Sequence, residues 1–126
     1  MVGALLDTSI LIDILRLNSN ANQWIAKQNI QFGVTGIVHL EVLQGAIDKQ
    51  DQNNGLKLLR RFESIELTPS DYHWAIEQLI HYKLSHNVGG VDCLIAAPSH
   101  RLQIPLYTMN IKHFTPILGT LAQKPY

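Results

Sequence analysis

Apolar residues run from Val2 to Leu6, the turn-capable "DTS" interrupts them, and "ILIDILR" then resumes with apolar positions at helical spacing. That order predicts a strand, a turn and a helix. A second helix is expected around Asn22 to Gln28, with Trp24 and Ile25 on its apolar side, and "FGVT" at 32–35 reads as the second strand. Helical spacing returns from Gly36 to Ile47. The polar, turn-rich "DKQDQNNG" at 48–55 predicts a break before a further helix at Leu56 to Phe62, and Ile65 to Leu67 reads as strand. Ser70 suits the N-cap of a helix from Asp71 to about Leu84, with Tyr72, Ile76, Leu79 and Ile80 on one apolar side. "HNVGG" ends it. Val91, Leu94, Ile95 and Leu102 mark another helical stripe, which Pro98 should kink or end early because proline removes a helical hydrogen bond. "IPLYT" then reads as a short strand and "FTPILG" as an edge strand.

Short apolar strands alternating with helices predict the α/β class: a three-layer α/β/α sandwich around a short, mostly parallel sheet. The 126 residues fit one domain, 1–126, with a core of its own and no internal repeat. Ten basic and ten acidic residues cancel, so net charge argues neither for nor against a nucleic-acid partner. The lone cysteine, Cys93, leaves no internal disulfide and reads as a small buried apolar residue suited to a reducing compartment. With no long uncharged apolar stretch and no signal-type start, the expectation is a cytoplasmic protein without a membrane partner.

Candidate chemistry enters through Asp7. In an open parallel sheet, ligands bind beyond the carboxyl ends of the strands, and Asp7 follows the first strand directly. An aspartate there also suits helix capping. Two further acids stand in similar surroundings: Glu41, between Leu40 and Val42 in "GIVHLEVLQGA", and Asp92, just after a glycine pair in "GGVDCLIAA". If the three converged they would repel one another, and a divalent cation relieves such repulsion. Oxygen ligands of this kind suit Mg²⁺ or Mn²⁺ rather than zinc. Other chemistries lack their signatures. There is no glycine-rich phosphate loop, no H-E-x-x-H, and no histidine spaced to Ser9 or Cys93 as in a nucleophilic triad.

Taken in order, "LLDTSILID", "HLEVLQGA", "GGVDCLIAA" and "PLYTMNIKHF" resemble the PIN domain, and most of all the bacterial VapC-type toxins of type II toxin–antitoxin pairs. The likeness runs from about Leu5 to Phe114. It implies that Asp7, Glu41 and Asp92 are metal ligands and catalytic residues, with Ser9 and Thr108 as hydroxyl groups that order the site. Where many relatives carry a fourth acid this chain has Asn110, and where others carry a later aspartate it has His113. Asn110 therefore joins the catalytic set with an amide oxygen and no charge. The resemblance further implies a metal-dependent endoribonuclease using one or two Mg²⁺ or Mn²⁺ ions, an RNA substrate, a cognate antitoxin protein and a homodimer. Arg16, Lys112 and His113 are candidate RNA contacts, with Arg101 and the pair Arg60 and Arg61 as further cations. Apolar helices near Leu11 to Leu17 and Leu56 to Phe62 offer a groove for the antitoxin. A PIN fold with a decayed site, serving as a protein- or RNA-binding module, is the alternative, and the missing fourth acid motivates it.

Overall fold

The computed structural model describes residues Met1 to Tyr126. Five parallel strands form one sheet in the order β3-β2-β1-β4-β5: β1 Ala4–Leu6, β2 Phe32–Thr35, β3 Glu63–Ile65, β4 Leu106–Tyr107 and β5 Ala122–Gln123. The helices between them are α1 Thr8–Leu15, α2 Ser19–Ala26, α3 Gly36–Gln44, α4 Lys49–Leu59, α5 Pro69–His86, α6 Gly90–Leu102 and α7 Ile111–Leu118, followed by a 3₁₀ turn, Gly119–Leu121.

From β1 the chain steps outward to β2 and β3, then returns across the sheet to β4 and β5. Parallel crossovers are right-handed, so this reversal sends α1 to α4 to one face and α5 to α7 to the other. The packing agrees. Helix α1 contacts α2, α3 and α4, whereas α6 contacts α5 and α7. The expected three-layer sandwich is the fold. Its core, on both faces of β1, β2 and β4, includes Leu5, Leu6, Ile10, Leu11, Val34, Val38, Ile95, Leu106 and Phe114.

Several local expectations are corrected. Residues 48–55 do not break the chain: Asp48 caps α4 by accepting from Asp51 N at 2.8 Å, and the polar run is the solvent side of a helix that buries Gly55, Leu58 and Leu59. Helix α5 starts two residues before the predicted first residue, Asp71. Thr68 is its N-cap, with Pro69 at the first position and Asp71 completing a capping box. Its supposed apolar side also faces the wrong way: Tyr72, Ile76 and Ile80 are exposed, while Asp71 and Ala75 are buried and Leu79 is half-buried. On α6, Val91 and Leu102 likewise lie outside, and the buried set is Cys93, Ile95, Ala96, Ala97 and Ser99. Pro98 sits inside that helix without ending it. Its ring is buried in the core. The strand predicted at Ile65 to Leu67 lies at Glu63–Ile65, and "FTPILG" belongs to α7, so that the edge strand comes later, at Ala122–Gln123. No helix is long and apolar enough to cross a membrane.

Candidate metal centre at the sheet edge

Where β1 and β4 part, the sheet's strand order reverses, and the carboxyl ends of the strands open into a cleft. The cleft, of about 340 Å³, is lined by Asp7, Thr8, Ser9, Asp13, Arg16, Glu41, Asp92 and Asn110, with Ile12 as its one apolar wall residue. Asp7 enters from the end of β1, Glu41 from the middle of α3, Asp92 from the first turn of α6 and Asn110 from the β4–α7 turn. All four residues expected to be catalytic thus reach one cavity from four segments of the chain.

Asp7 stands at the N-cap of α1 in extended backbone, but its carboxylate makes no capping hydrogen bond. It turns to hydroxyls instead. Thr108 Oγ1 donates to Asp7 Oδ2 at 2.7 Å, and Ser9 Oγ donates to the same oxygen at 3.0 Å. Both hydroxyls are themselves fixed by backbone amides of the β4–α7 turn. Met109 N donates to Ser9 Oγ at 3.1 Å and Asn110 N to Thr108 Oγ1 at 2.9 Å. With their acceptor side filled, the hydroxyls present their protons to Asp7. Ser9 and Thr108 therefore sit where the resemblance implied, and Asn110 supports the cluster through its N–H as well as its position.

Thr8 is, with Asp13, a polar lining residue that the sequence did not single out. Its Oγ1 donates to Glu41 Oε1 at 2.6 Å, tying α1 to α3. The "DTS" motif contained the signal, because a hydroxyl beside a buried acid is a natural donor to a second one. Asp92 meets His113, whose Nδ1 lies 3.2 Å from Asp92 Oδ2. That contact ties the exposed His113 to one of the acids that line the cleft. Burial, then the negative charge of Asp7 and more weakly that of Glu41, hold the Asp92 carboxyl above the usual carboxylate range, while His113 pulls it down. Next to Asp92, burial pushes the Cys93 thiol up to about 11, which leaves it an unreactive core residue as expected.

As the side chains stand, no three acidic or imidazole groups converge to hold one ion: Glu41 engages Thr8 and Asp92 engages His113. The donor set nonetheless fits a hard divalent cation, since carboxylate and amide oxygens surround the cleft and no thiolate faces it. Among the cations expected near RNA, Arg16 lines the cleft. Lys112 is exposed in the first turn of α7, one residue before His113. Arg101 is taken elsewhere: its guanidinium bonds both carboxylate oxygens of Asp71, at 3.0 and 3.1 Å, because the two residues face each other across the α5–α6 contact. Arg61 lies over the Phe62 ring, 5.7 Å from its centroid, and Arg60 lines none of the cleft.

Beside the acidic cleft, and sharing Ile12 and Arg16 with it, runs a second groove of about 210 Å³ whose apolar lining adds Leu15, Val42 and Ala46. It lies between α1, α3 and the start of α4, so the Leu56 to Phe62 segment expected to form it does not.

The PIN domain family matches residues 4–114. Ribonuclease VapC1 of Rickettsia felis is 29% identical, over 94% of this chain and 92% of that protein. Among solved structures, a toxin–antitoxin complex from Klebsiella pneumoniae is similar at TM-score 0.76 and 24% identity, covering 98% of both chains. The DNA-bound VapBC of Salmonella typhimurium is similar at TM-score 0.82 and 17% identity over the full length of each chain. These structures share the fold described above, and the family match spans every residue of the acidic cleft from Asp7 to Asn110. This chain belongs to the PIN domain family.

Proposed function

We propose that this protein is a metal-dependent endoribonuclease that hydrolyses RNA phosphodiester bonds and serves as the toxin of a type II toxin–antitoxin pair. One observation carries the reading: Asp7, Glu41 and Asp92 line one cleft at the strand ends, where burial first, and then the charges of Asp7 and Glu41, hold the Asp92 carboxyl above its usual range. The relative named as a ribonuclease supports it. In this reading Asp7, Glu41 and Asp92 hold Mg²⁺ or Mn²⁺, one or two ions, and Asn110 adds a neutral oxygen. The bound cation supplies charge neutralisation for the phosphodiester and acidity for an attacking water.

The protein's own part is positioning. Ser9 and Thr108 donate to Asp7 Oδ2 and leave Oδ1 without a protein partner, available to the cation. Thr8 orients Glu41 in the same way. Asn110 brings no charge where many relatives bring one, so a second ion is held more weakly than the first. Arg16 at the rim, and His113 with its neighbour Lys112 opposite, suit contact with RNA phosphates. The apolar groove beside the cleft suits an amphipathic antitoxin segment, and the shared Ile12 and Arg16 let such a segment reach the acids. A homodimer completes the reading.

Cleavage of total cellular RNA by the purified protein, with Mg²⁺, with Mn²⁺ and with chelator, beside Asp7→Asn and Asp92→Asn, tests it. Discrete metal-dependent cuts that vanish in both variants are expected. No cutting under any metal, with the variants indistinguishable from the parent, would favour the alternative of a binding module whose site has decayed at Asn110 and His113. A stable complex with the product of the adjacent reading frame on co-expression tests the antitoxin separately.

A further inference from the structure

Five polar residues are buried in this fold: Asp7, Thr35, Asp71, Ser99 and Thr108. Asp71 is held by Arg101 and its capping box, Ser99 donates to the main-chain carbonyl of Ile104, and Asp7 and Thr108 are bonded to each other. Thr35 differs from the rest. It is 2% exposed, and its hydroxyl, shut off from solvent, makes no hydrogen bond. It is also the N-cap residue of α3, yet its side chain does not take the capping bond that threonine usually makes there. A buried hydroxyl left unpaired costs the fold stability, so this position calls for a partner.

The sheet register points to one. Leu5 of β1 lies beside Gly33 of β2, and Leu6 of β1 lies beside Tyr107 of β4. Carried on to the strand ends, the same register sets Thr35, Asp7 and Thr108 in one row, with Asp7 in the middle. Residues level with one another on neighbouring parallel strands point to the same face, and such strands lie about 4.8 Å apart. Thr108 reaches across that spacing to Asp7 Oδ2 at 2.7 Å. Thr35 stands at the same level on the other flank. Its backbone also matches that of Asp7, with φ −78° and ψ 161° against −77° and 158°, so the two side chains leave the sheet edge in the same attitude.

We infer that Thr35 is a positioning residue of the candidate metal centre, its hydroxyl donating to Asp7 Oδ1 when a cation is bound there. This rests on the metal-dependent reading above. Oδ2 of Asp7 has two hydroxyl donors, whereas Oδ1 has no protein partner. A carboxylate oxygen carries two lone pairs, so Oδ1 serves a cation with one and accepts from Thr35 with the other. Rotation about the χ1 bond of Thr35 moves its hydroxyl among staggered positions, and there is no existing hydrogen bond to lose. The acid is then gripped by a threonine from each neighbouring strand, which fixes the plane of its carboxylate. Groups that orient a ligand in this way set metal affinity without touching the metal. The competing acceptor is His39 Nε2, one helical turn along α3 and likewise buried without a partner. The carboxylate is favoured over it because an ionised acceptor makes the stronger bond.

Free Mn²⁺ gives an electron paramagnetic resonance signal that is lost on binding, so titrating the full chain with Mn²⁺ reads affinity without any cleavage. The parent is compared with Thr35→Val, which keeps the shape and drops the hydroxyl, and with Thr35→Ser, which keeps the hydroxyl. Thr35→Val should bind Mn²⁺ about tenfold or more weakly and Thr35→Ser within about twofold of the parent, with neither melting below the parent in chelator. A Thr35→Val protein that binds as the parent does would overturn the assignment and leave the metal site standing; if it also melts well below the parent in chelator, the hydroxyl belongs to His39. Equal loss of Mn²⁺ in Thr35→Ser would place the effect in packing and overturn the assignment too. A parent that takes up no Mn²⁺ would instead overturn the metal-dependent reading, and the role of Thr35 with it. Should Thr35→Val not fold, Thr35→Ala, which only removes atoms, takes its place in the same titration with the same outcomes.

Discussion

Asp7 and Asp71 are buried to nearly the same degree, 3% and 2% exposed, yet their surroundings differ completely. Asp71 is fully paired. It accepts from Thr68 N at 2.9 Å in a capping box and from two nitrogens of Arg101, so its charge is neutralised inside the protein. Asp7 has two hydroxyl donors, no protein cation bonded to it, and two further acids on the same cleft. A charge held by neutral donors among other negative charges is costly unless something from outside completes it. The Asp71 carboxylate fastens helices together, whereas in the proposed reading that of Asp7 is left for a cation and a substrate.

The sharpest way to break this contrast is to neutralise each acid in turn. Asp7→Asn keeps an oxygen for Ser9 and Thr108, so the folded state should survive within about 1 kcal/mol, while RNA cleavage falls by about a thousandfold or more, equivalent to roughly 4 kcal/mol. Thermal melts beside cleavage assays decide it, and a variant that cuts normally would remove Asp7 from the chemistry. Asp71→Ala should do the opposite. Losing the capping box and stranding Arg101, which is itself partly exposed, should cost about 2–3 kcal/mol on denaturant unfolding, with little change in cutting once folded.

Asp92 offers a finer test, because it is the acid whose charge the fold disfavours. Asp92→Asn in chelator removes the cost of burying the charge and its repulsion from Asp7 and Glu41, but also the contact with His113, and the net expectation is a gain of about 1 kcal/mol, a few degrees in Tm. A melt in Mn²⁺ should reverse the order, since only the parent gains from binding. The smallest effect is expected at Asp13, also on the cleft, whose carboxylate accepts from the Tyr126 hydroxyl at 2.8 Å. Burial and that bond raise the Tyr126 pKa, so the phenol stays protonated and keeps donating. Tyr126→Phe should cost about 0.5–1 kcal/mol in an unfolding titration.

The same contrast explains what could be read from the sequence. Three of the cleft's four acids, Asp7, Glu41 and Asp92, were legible because each stands where apolar periodicity makes a charge expensive, directly after a strand or on an apolar stripe, whereas Asp13 gave no such signal. Asp71 was passed over, since Ser70 next to it looked like the cap and nothing in the sequence joined it to Arg101, thirty residues on. Strand and helix order followed from alternation of short apolar runs with helical spacing. Helix faces did not: Tyr72, Ile76 and Ile80 have the spacing of a core stripe, and spacing cannot distinguish a face packed on its own domain from one left for another surface. The polar run at 48–55 misled in the opposite direction, because its helix gains most of its burial from residues further along.

The amides of the β4–α7 turn have a consequence for how this chain can vary. Met109 and Asn110 stabilise the acidic cleft through main-chain N–H groups that any residue except proline supplies. The cluster around Asp7 is therefore insulated from the side chain at 110. A mutational scan there should find most substitutions folded, with Ser9 and Thr108 still in place, and differing chiefly in how they hold the cation. Proline alone should abolish the arrangement. Under the proposed metal-dependent reading, that freedom lets a lineage retune cation affinity at one position while the rest of the site stays as built.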